Sequence, residues 1–124
     1  MERKIKISAE GVEVTAVLNG SKTADAIWQA LPITGRGNRW GDEIYFGIAV
    51  KLGTEDGRAV VEEGDLGYWP PGSAFCIFFG PTPASVGNEP RAASPVNVFG
   101  KITGDPKVLT RVRDGAAIKI EQVK

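Results

Sequence analysis

Ser73-Ala74-Phe75-Cys76-Ile77-Phe78-Phe79 is the stretch on which the fold turns. It is apolar, aromatic and short, with turn punctuation on both sides, and it reads as a strand over Ala74 to Phe79 with the strongest core signal in the chain. Immediately before it, Leu66-Gly67-Tyr68-Trp69 runs into Pro70-Pro71-Gly72, a rigid corner. Immediately after it, Gly80 to Pro95 holds Pro81, Pro83, Pro90 and Pro95 with little periodicity, the mark of a long surface loop of a kind that often carries function.

Farther toward the amino end, Glu43 to Val50 alternates, with Ile44, Phe46, Ile48 and Val50 on one face and Tyr45, Gly47 and Ala49 on the other. Glu55-Asp56-Gly57 signals a turn into Arg58-Ala59-Val60-Val61, a hairpin return. Ile33 to Gly41, with Gly35, Gly37, Gly41, Arg36 and Arg39, reads as an irregular surface loop. Its spacing matches neither the P-loop nor the dinucleotide fingerprint. At the amino end, Ile5 and Ile7, then Val12, Val14 and Ala16-Val17-Leu18, give two opening strands broken at Gly11. Ala24, Ile27, Trp28 and Leu31 share one face of a helix that Thr23 can cap and Pro32 stops. Toward the carboxyl end come a strand over Val96 to Ile102, a short helix opened by Asp105-Pro106 and ended near Gly115, and a closing strand over Ala117 to Val123. About eight short strands and two helices in one domain, residues 1–124, predict a mainly β fold, a closed barrel with helices over its ends, because closure removes sheet edges.

Composition narrows the chemistry. Of the 124 residues 42% are hydrophobic and 24% charged, the balance of a chain that packs a core. Lys+Arg and Asp+Glu both number 15, so no global field attracts a phosphate backbone or an anionic bilayer, and neither nucleic acid nor membrane is an expected partner. Histidine is absent, which removes imidazole bases, Ser-His-Asp and Cys-His dyads and His-based zinc sites. No metal or other cofactor is expected. The lone Cys76 has no His or Lys beside it in sequence and reads as a buried, unreactive thiol. The opening Met1-Glu2-Arg3-Lys4 leads into no long apolar run, so a cytoplasmic location is expected.

Four segments, taken in order, carry a family resemblance. Lys22-Thr23-Ala24-Asp25-Ala26-Ile27-Trp28-Gln29-Ala30-Leu31 resembles the first helix of the cyclophilins, Lys-Thr-Ala-Glu-Asn-Phe-Arg-Ala-Leu, with one extra residue. Gly64-Asp65-Leu66-Gly67-Tyr68-Trp69 is similar to Gly-Ile-Leu-Ser-Met-Ala, Gly72-Ser73-Ala74-Phe75-Cys76-Ile77 to Gly-Ser-Gln-Phe-Phe-Ile, and Asn97-Val98-Phe99-Gly100-Lys101-Ile102 to Val-Val-Phe-Gly-Lys-Val. Trp40-Gly41, Glu43-Ile44-Tyr45-Phe46, Tyr68-Trp69-Pro70-Pro71-Gly72 and Phe78-Phe79-Gly80 with Thr82-Pro83 look more closely like the small single-domain cyclophilin-like proteins of archaea and thermophilic bacteria. The resemblance implies a cyclophilin-like barrel; a shared fold does not by itself imply a shared activity.

Cyclophilins catalyse rotation about an Xaa-Pro bond with an apolar socket and a guanidinium aimed at the prolyl nitrogen. By the resemblance, that arginine falls on Gly47, the pocket phenylalanine on Cys76, its glutamine neighbour on Ala74 and the pocket histidine on Val96. The standard isomerase residues are therefore missing, and the expected function is binding of an extended or proline-containing peptide, or of a small molecule, in a widened apolar groove. The alternative is a prolyl isomerase whose arginine has moved to Arg36, Arg39 or Arg91. The expected groove has Tyr45, Tyr68, Cys76 and Phe78 as walls, and Thr82 and Asn97 among its polar groups. Trp40 stands at its mouth or plugs the core, and Trp69 stacks a ligand or caps the barrel. Paired acids elsewhere read as solvated turn charges, but Glu43 precedes Tyr45 by two residues and shares its face, so a raised pKa there would be informative.

Overall fold

Alternation of buried and exposed residues builds the first hairpin in the computed structural model, which describes residues 2–123. Strand β1 (Lys4–Ala9) buries Ile5, Ile7 and Ala9, and β2 (Val12–Leu18) returns antiparallel with Ala9 opposite Val12. The two residues between them, Glu10 and Gly11, both take positive φ (48° and 79°), the pattern that matches a tight turn to strand twist. Helix α1 (Lys22–Ala30) follows and stops ahead of Pro32, as expected. Its cap is Ser21 rather than Thr23: the Ser21 side chain accepts from the Ala24 N–H at 3.0 Å, while Thr23 is buried in a separate polar network.

The glycine-rich stretch after Pro32 corrects the sequence reading, because it is strand rather than loop. It forms β3 (Ile33–Arg36) and β4 (Asn38–Arg39), joined at Gly37. Here glycine serves close packing: a Cβ on Gly35 would lie 2.7 Å from the Phe46 ring, and one on Gly37 would overlap Ile118 Cδ1. The next strand, β5 (Glu43–Gly47), ends three residues earlier than its alternation suggests. The segment β6 (Arg58–Val60) is not a hairpin return, since it pairs with a distant strand. Strand β7 (Asp65–Trp69), a 3₁₀ turn over Pro70–Gly72 and strand β8 (Ala74–Phe78) then form the buried centre. Every residue of β8 is buried. The long β9 (Arg91–Ile102) starts inside the expected loop, the Asp105-capped segment Pro106–Arg111 is 3₁₀ rather than α, and β10 (Ala117–Gln122) closes the chain.

The sheet runs β3-β10-β1-β2-β9-β7-β8-β5-β4, with β6 attached to β9 off this path. Among the described residues ten strands replace the roughly eight expected, and the ladder is an open path rather than a hydrogen-bonded ring. Its two end strands, β3 and β4, are consecutive halves of one segment, so covalent continuity through Gly37 links β10 to β5 where a further ladder would be needed for closure. One face of the sheet holds the larger core, including Ile5, Ile7, Phe46, Tyr68, Phe75 and Phe99. A smaller apolar cluster, Val61, Ala74, Cys76, Phe78, Ala92 and Val96, lies on the other face, beneath β6 and the start of β9.

Candidate functional site

Directly opposed residues of antiparallel strands share a face, so the register of β5, β7 and β8 decides which side chains meet. Tyr45 lies opposite Cys76, Glu43 opposite Phe78, Gly47 opposite Ala74, Gly67 opposite Cys76 and Trp69 opposite Ala74. These residues occupy the face of the smaller cluster. The intervening Ile44, Phe46, Leu66, Tyr68, Phe75 and Ile77 occupy the face of the larger core. On the first face a cavity of about 240 Å³ opens, lined by Trp40, Glu43, Tyr45, Trp69, Cys76, Ala92, Ala93 and Val96.

The three aromatic walls, Trp40, Tyr45 and Trp69, are half-buried. Trp69 donates its indole N–H to Ser94 Oγ at 2.7 Å, and Gly72 packs so closely that a Cβ there would be 2.8 Å from the indole ring. Trp40 belongs to a tight turn in which its N–H donates to the Glu43 carbonyl at 2.9 Å. That turn is pinned by Asp42, whose N–H donates to the Pro81 carbonyl and whose carbonyl accepts from the Phe79 N–H, both at 2.9 Å. It is pinned again by Arg39, which reaches the carbonyls of Gly41 and Val112 and the Asp42 carboxylate and sits 5.1 Å above the Phe79 ring.

Glu43 is the electrostatic feature of the site. The residue is only 5% exposed, and its Oε1 has no hydrogen-bond partner. Burial disfavours the charged carboxylate and pushes its pKa up to about 7, with partial relief from the neighbouring Cys76 thiol. The thiol is pushed well above its usual range, by burial first and then by the negative charge of Glu43. It remains protonated at neutral pH and points a weak donor at the Ala74 carbonyl, 3.8 Å away.

Of the nine residues proposed from sequence, Trp40, Glu43, Tyr45, Trp69 and Cys76 line this cavity, and Tyr68, Phe78, Thr82 and Asn97 do not. Tyr68 points into the larger core, where its hydroxyl donates to the Val50 carbonyl at 2.7 Å and accepts from the Leu52 N–H at 3.1 Å. Phe78 is on the correct face but is fully buried over Gly67, beneath the cavity wall. Thr82 spends its hydroxyl on the Arg91 carbonyl and the Ala84 N–H. Asn97 is buried in a polar network with Thr23, Gly53 and Glu55. The sequence reading missed Ala92 and Ala93 because Pro90 and Pro95 disguise the start of β9 as loop, and it took Val96 as a lost pocket group rather than a wall.

None of the arginines considered as a relocated catalytic group lines the cavity. Arg36 donates to the Gly115 carbonyl, Arg39 is engaged as above, and Arg91 pairs with Glu89 at 3.1 Å. Among the described residues no group of three His, Cys, Asp or Glu side chains is placed to hold a metal ion, and no helix is long and apolar enough to cross a membrane.

Comparison with known proteins adds the family. No curated protein matches the chain. The solution structure of a hypothetical protein from the archaeon Archaeoglobus fulgidus is similar to it, with 41% sequence identity, a TM-score of 0.82, and coverage of 98% of this chain and 95% of the other. A family model described as Cyclophilin-like matches residues 3–121, nearly the whole length, and establishes that the chain belongs to the cyclophilin-like family, whose four sequence segments are here helix α1 and strands β7, β8 and β9 of one sheet.

Proposed function

We propose that this protein is a binding module that takes a small molecule, or a single side chain of a peptide, in the cavity between β5, β7, β8 and β9. The observation that carries the reading is an aromatic-walled cavity of about 240 Å³ containing one buried carboxyl group without a hydrogen-bond partner on Oε1. Small-ligand sites are mostly apolar concavities with few convergent polar groups, of roughly 300–1,000 Å³, and at about 240 Å³ this one falls just below that range. An extended peptide is therefore less well accommodated than a compact ligand. Prolyl isomerisation finds no support in the site: Gly47 stands where the resemblance puts the family's arginine, and Arg36, Arg39 and Arg91 are held elsewhere.

Two NMR measurements test the reading. A fragment library screened against the labelled protein is expected to give saturable shifts at the Trp40 and Trp69 indole N–H signals and at the Tyr45 and Cys76 amides. Two-dimensional exchange spectra of a short Xaa-Pro peptide are expected to show no new cross-peaks on adding substoichiometric protein, since the uncatalysed exchange takes tens of seconds or more. A library that leaves those signals unmoved overturns the binding module, and protein-dependent exchange peaks would establish an isomerase instead.

A further inference from the structure

On the reading that this cavity binds a ligand, we propose that it selects an alkylated ammonium cation, held by the Glu43 carboxylate and the rings of Trp40, Tyr45 and Trp69. Sign comes first. Glu43 is the one carboxyl group on the cavity wall, and no lysine or arginine lines it. A buried carboxylate with one oxygen left unpartnered and only a thiol beside it is costly, and an anionic or purely apolar ligand leaves that cost in place, whereas a cation offsets it.

Shape and hydrogen-bonding capacity then choose among cations. A primary ammonium brings three N–H donors that each need an acceptor, and beyond Glu43 the wall is made of indoles, a phenol ring, a thiol, two alanines and a valine. A fully alkylated ammonium brings no donor and presents apolar methyl groups to that wall. Aromatic faces attract such a cation through the ring quadrupole, most strongly where water is excluded. Trp69 is well suited to this, because its polar edge is already committed to Ser94 and its ring remains on the cavity.

The same geometry couples binding to a proton. Glu43 has a pKa of about 7 in the free protein, so near neutrality roughly half of the molecules carry a neutral carboxylic acid there, and a bound cation favours the ionised form. The other titratable groups facing Glu43 are the Cys76 thiol on β8, held protonated, and the Tyr45 phenol on its own strand. The β9 wall of Ala92, Ala93 and Val96 and the two tryptophans add no charge. Affinity should rise with pH until Glu43 is ionised, by about tenfold between pH 6 and pH 8 for a group of that pKa.

The test compares choline with 3,3-dimethylbutan-1-ol, its neutral carbon isostere, by titration of the full chain monitored at the Trp40 and Trp69 indole N–H signals. Choline is expected to bind at least tenfold more tightly than the alcohol at pH 8, to lose about tenfold at pH 6, and to lose its pH dependence in Glu43→Gln. Trp40→Leu, a change at a half-exposed turn, should weaken choline at least fivefold and by a clearly larger factor than it weakens the alcohol. Equal binding of the two probes, tighter binding of the alcohol, or no choline-dependent shift at either pH overturns the cation proposal. The fragment screen decides separately whether the cavity binds ligands at all, so the two readings fail independently.

Discussion

Glu43 shows how one residue can carry both a cost and a use. Its pKa rises from an ordinary 4.5 to about 7 on folding because burial penalises the charge. Below pH 4.5 the side chain is protonated in both states and contributes no pH dependence. Between 4.5 and 7 the folded protein holds a proton that the unfolded chain has released, so stability falls as pH rises, and above 7 the loss is complete. The full swing is on the order of 3 kcal/mol. Glu43→Gln removes the charge while keeping the shape, so its melting temperature should exceed that of the natural protein at pH 8 and converge toward it at pH 5. Calorimetry at both values checks this, and a pH-independent difference would contradict the assignment of the strain to ionisation. The alternation of β5 made Glu43 legible beforehand: a carboxyl two residues from Tyr45 must share its face, and the Glu43 to Phe78 register shows what covers it. Adjacent residues follow the same rule with the opposite result. Tyr68 and Trp69 are neighbours on one strand, so only one of them could face the groove, and the structure gives that place to Trp69.

At the scale of elements, the polar residues that sequence put in the groove turn out to hold segments together. Asn97 receives the Glu55 N–H at 2.8 Å on its carbonyl and donates through its amide to Thr23 Oγ1 at 3.1 Å and the Gly53 carbonyl at 2.9 Å. Glu55 in turn accepts from the N–H groups of Lys22 and Thr23 at the start of α1, and from the Thr23 hydroxyl. A carboxylate at a helix N-terminus satisfies free donors and complements the helix dipole, so the chain from β9 through Asn97 and Glu55 anchors α1 to the sheet. Asn97→Ala strands buried polar groups and should cost about 3 kcal/mol, read as a lower denaturant midpoint with little change in slope. Because Asn97 does not line the cavity, folded Asn97→Ala should bind probes as the natural protein does; lost binding with unchanged stability would return Asn97 to the site. Sequence could not reveal this network, since its members are separated by as many as 74 positions. The glycine-rich β3 and β4 were hidden for a different reason: glycine usually marks a turn, and here it admits Phe46 and Ile118 against the backbone.

Across the whole molecule, the strands of the larger core were the legible part, because β1, β2, β7, β8 and β10 each carry alternation or an apolar run bounded by turns. The second layer was not legible. Strand β6 meets β9 at only two registered pairs, Arg58 with Val96 and Val60 with Arg91, with an irregularity between them, and no local signal names a partner more than thirty residues away. The segment between β8 and β9 is held mainly by its own short bonds, such as those of the Glu89 carboxylate to the Val86 and Gly87 N–H groups, and Val86 is 89% exposed. Little apolar surface fastens this layer: its share of the smaller cluster is Val61, Ala92 and Val96, against a larger core that draws on most of the strands. Regions with few buried apolar contacts open at lower free energy than the global transition. Native-state hydrogen exchange should therefore find the amides of Val61, Ser85, Val86 and Gly87 exchanging through a sub-global opening, while those of Ile7, Phe75 and Ile77 report only global unfolding. The early part of β9 supplies Ala92, Ala93 and Val96 to the cavity, so a ligand seated there stabilises the closed layer and should slow the Val61 amide, whose N–H donates to the Pro90 carbonyl just before that strand. Uniform exchange at the global free energy would show instead that both layers unfold together, and the cavity would then be a rigid feature of a single core.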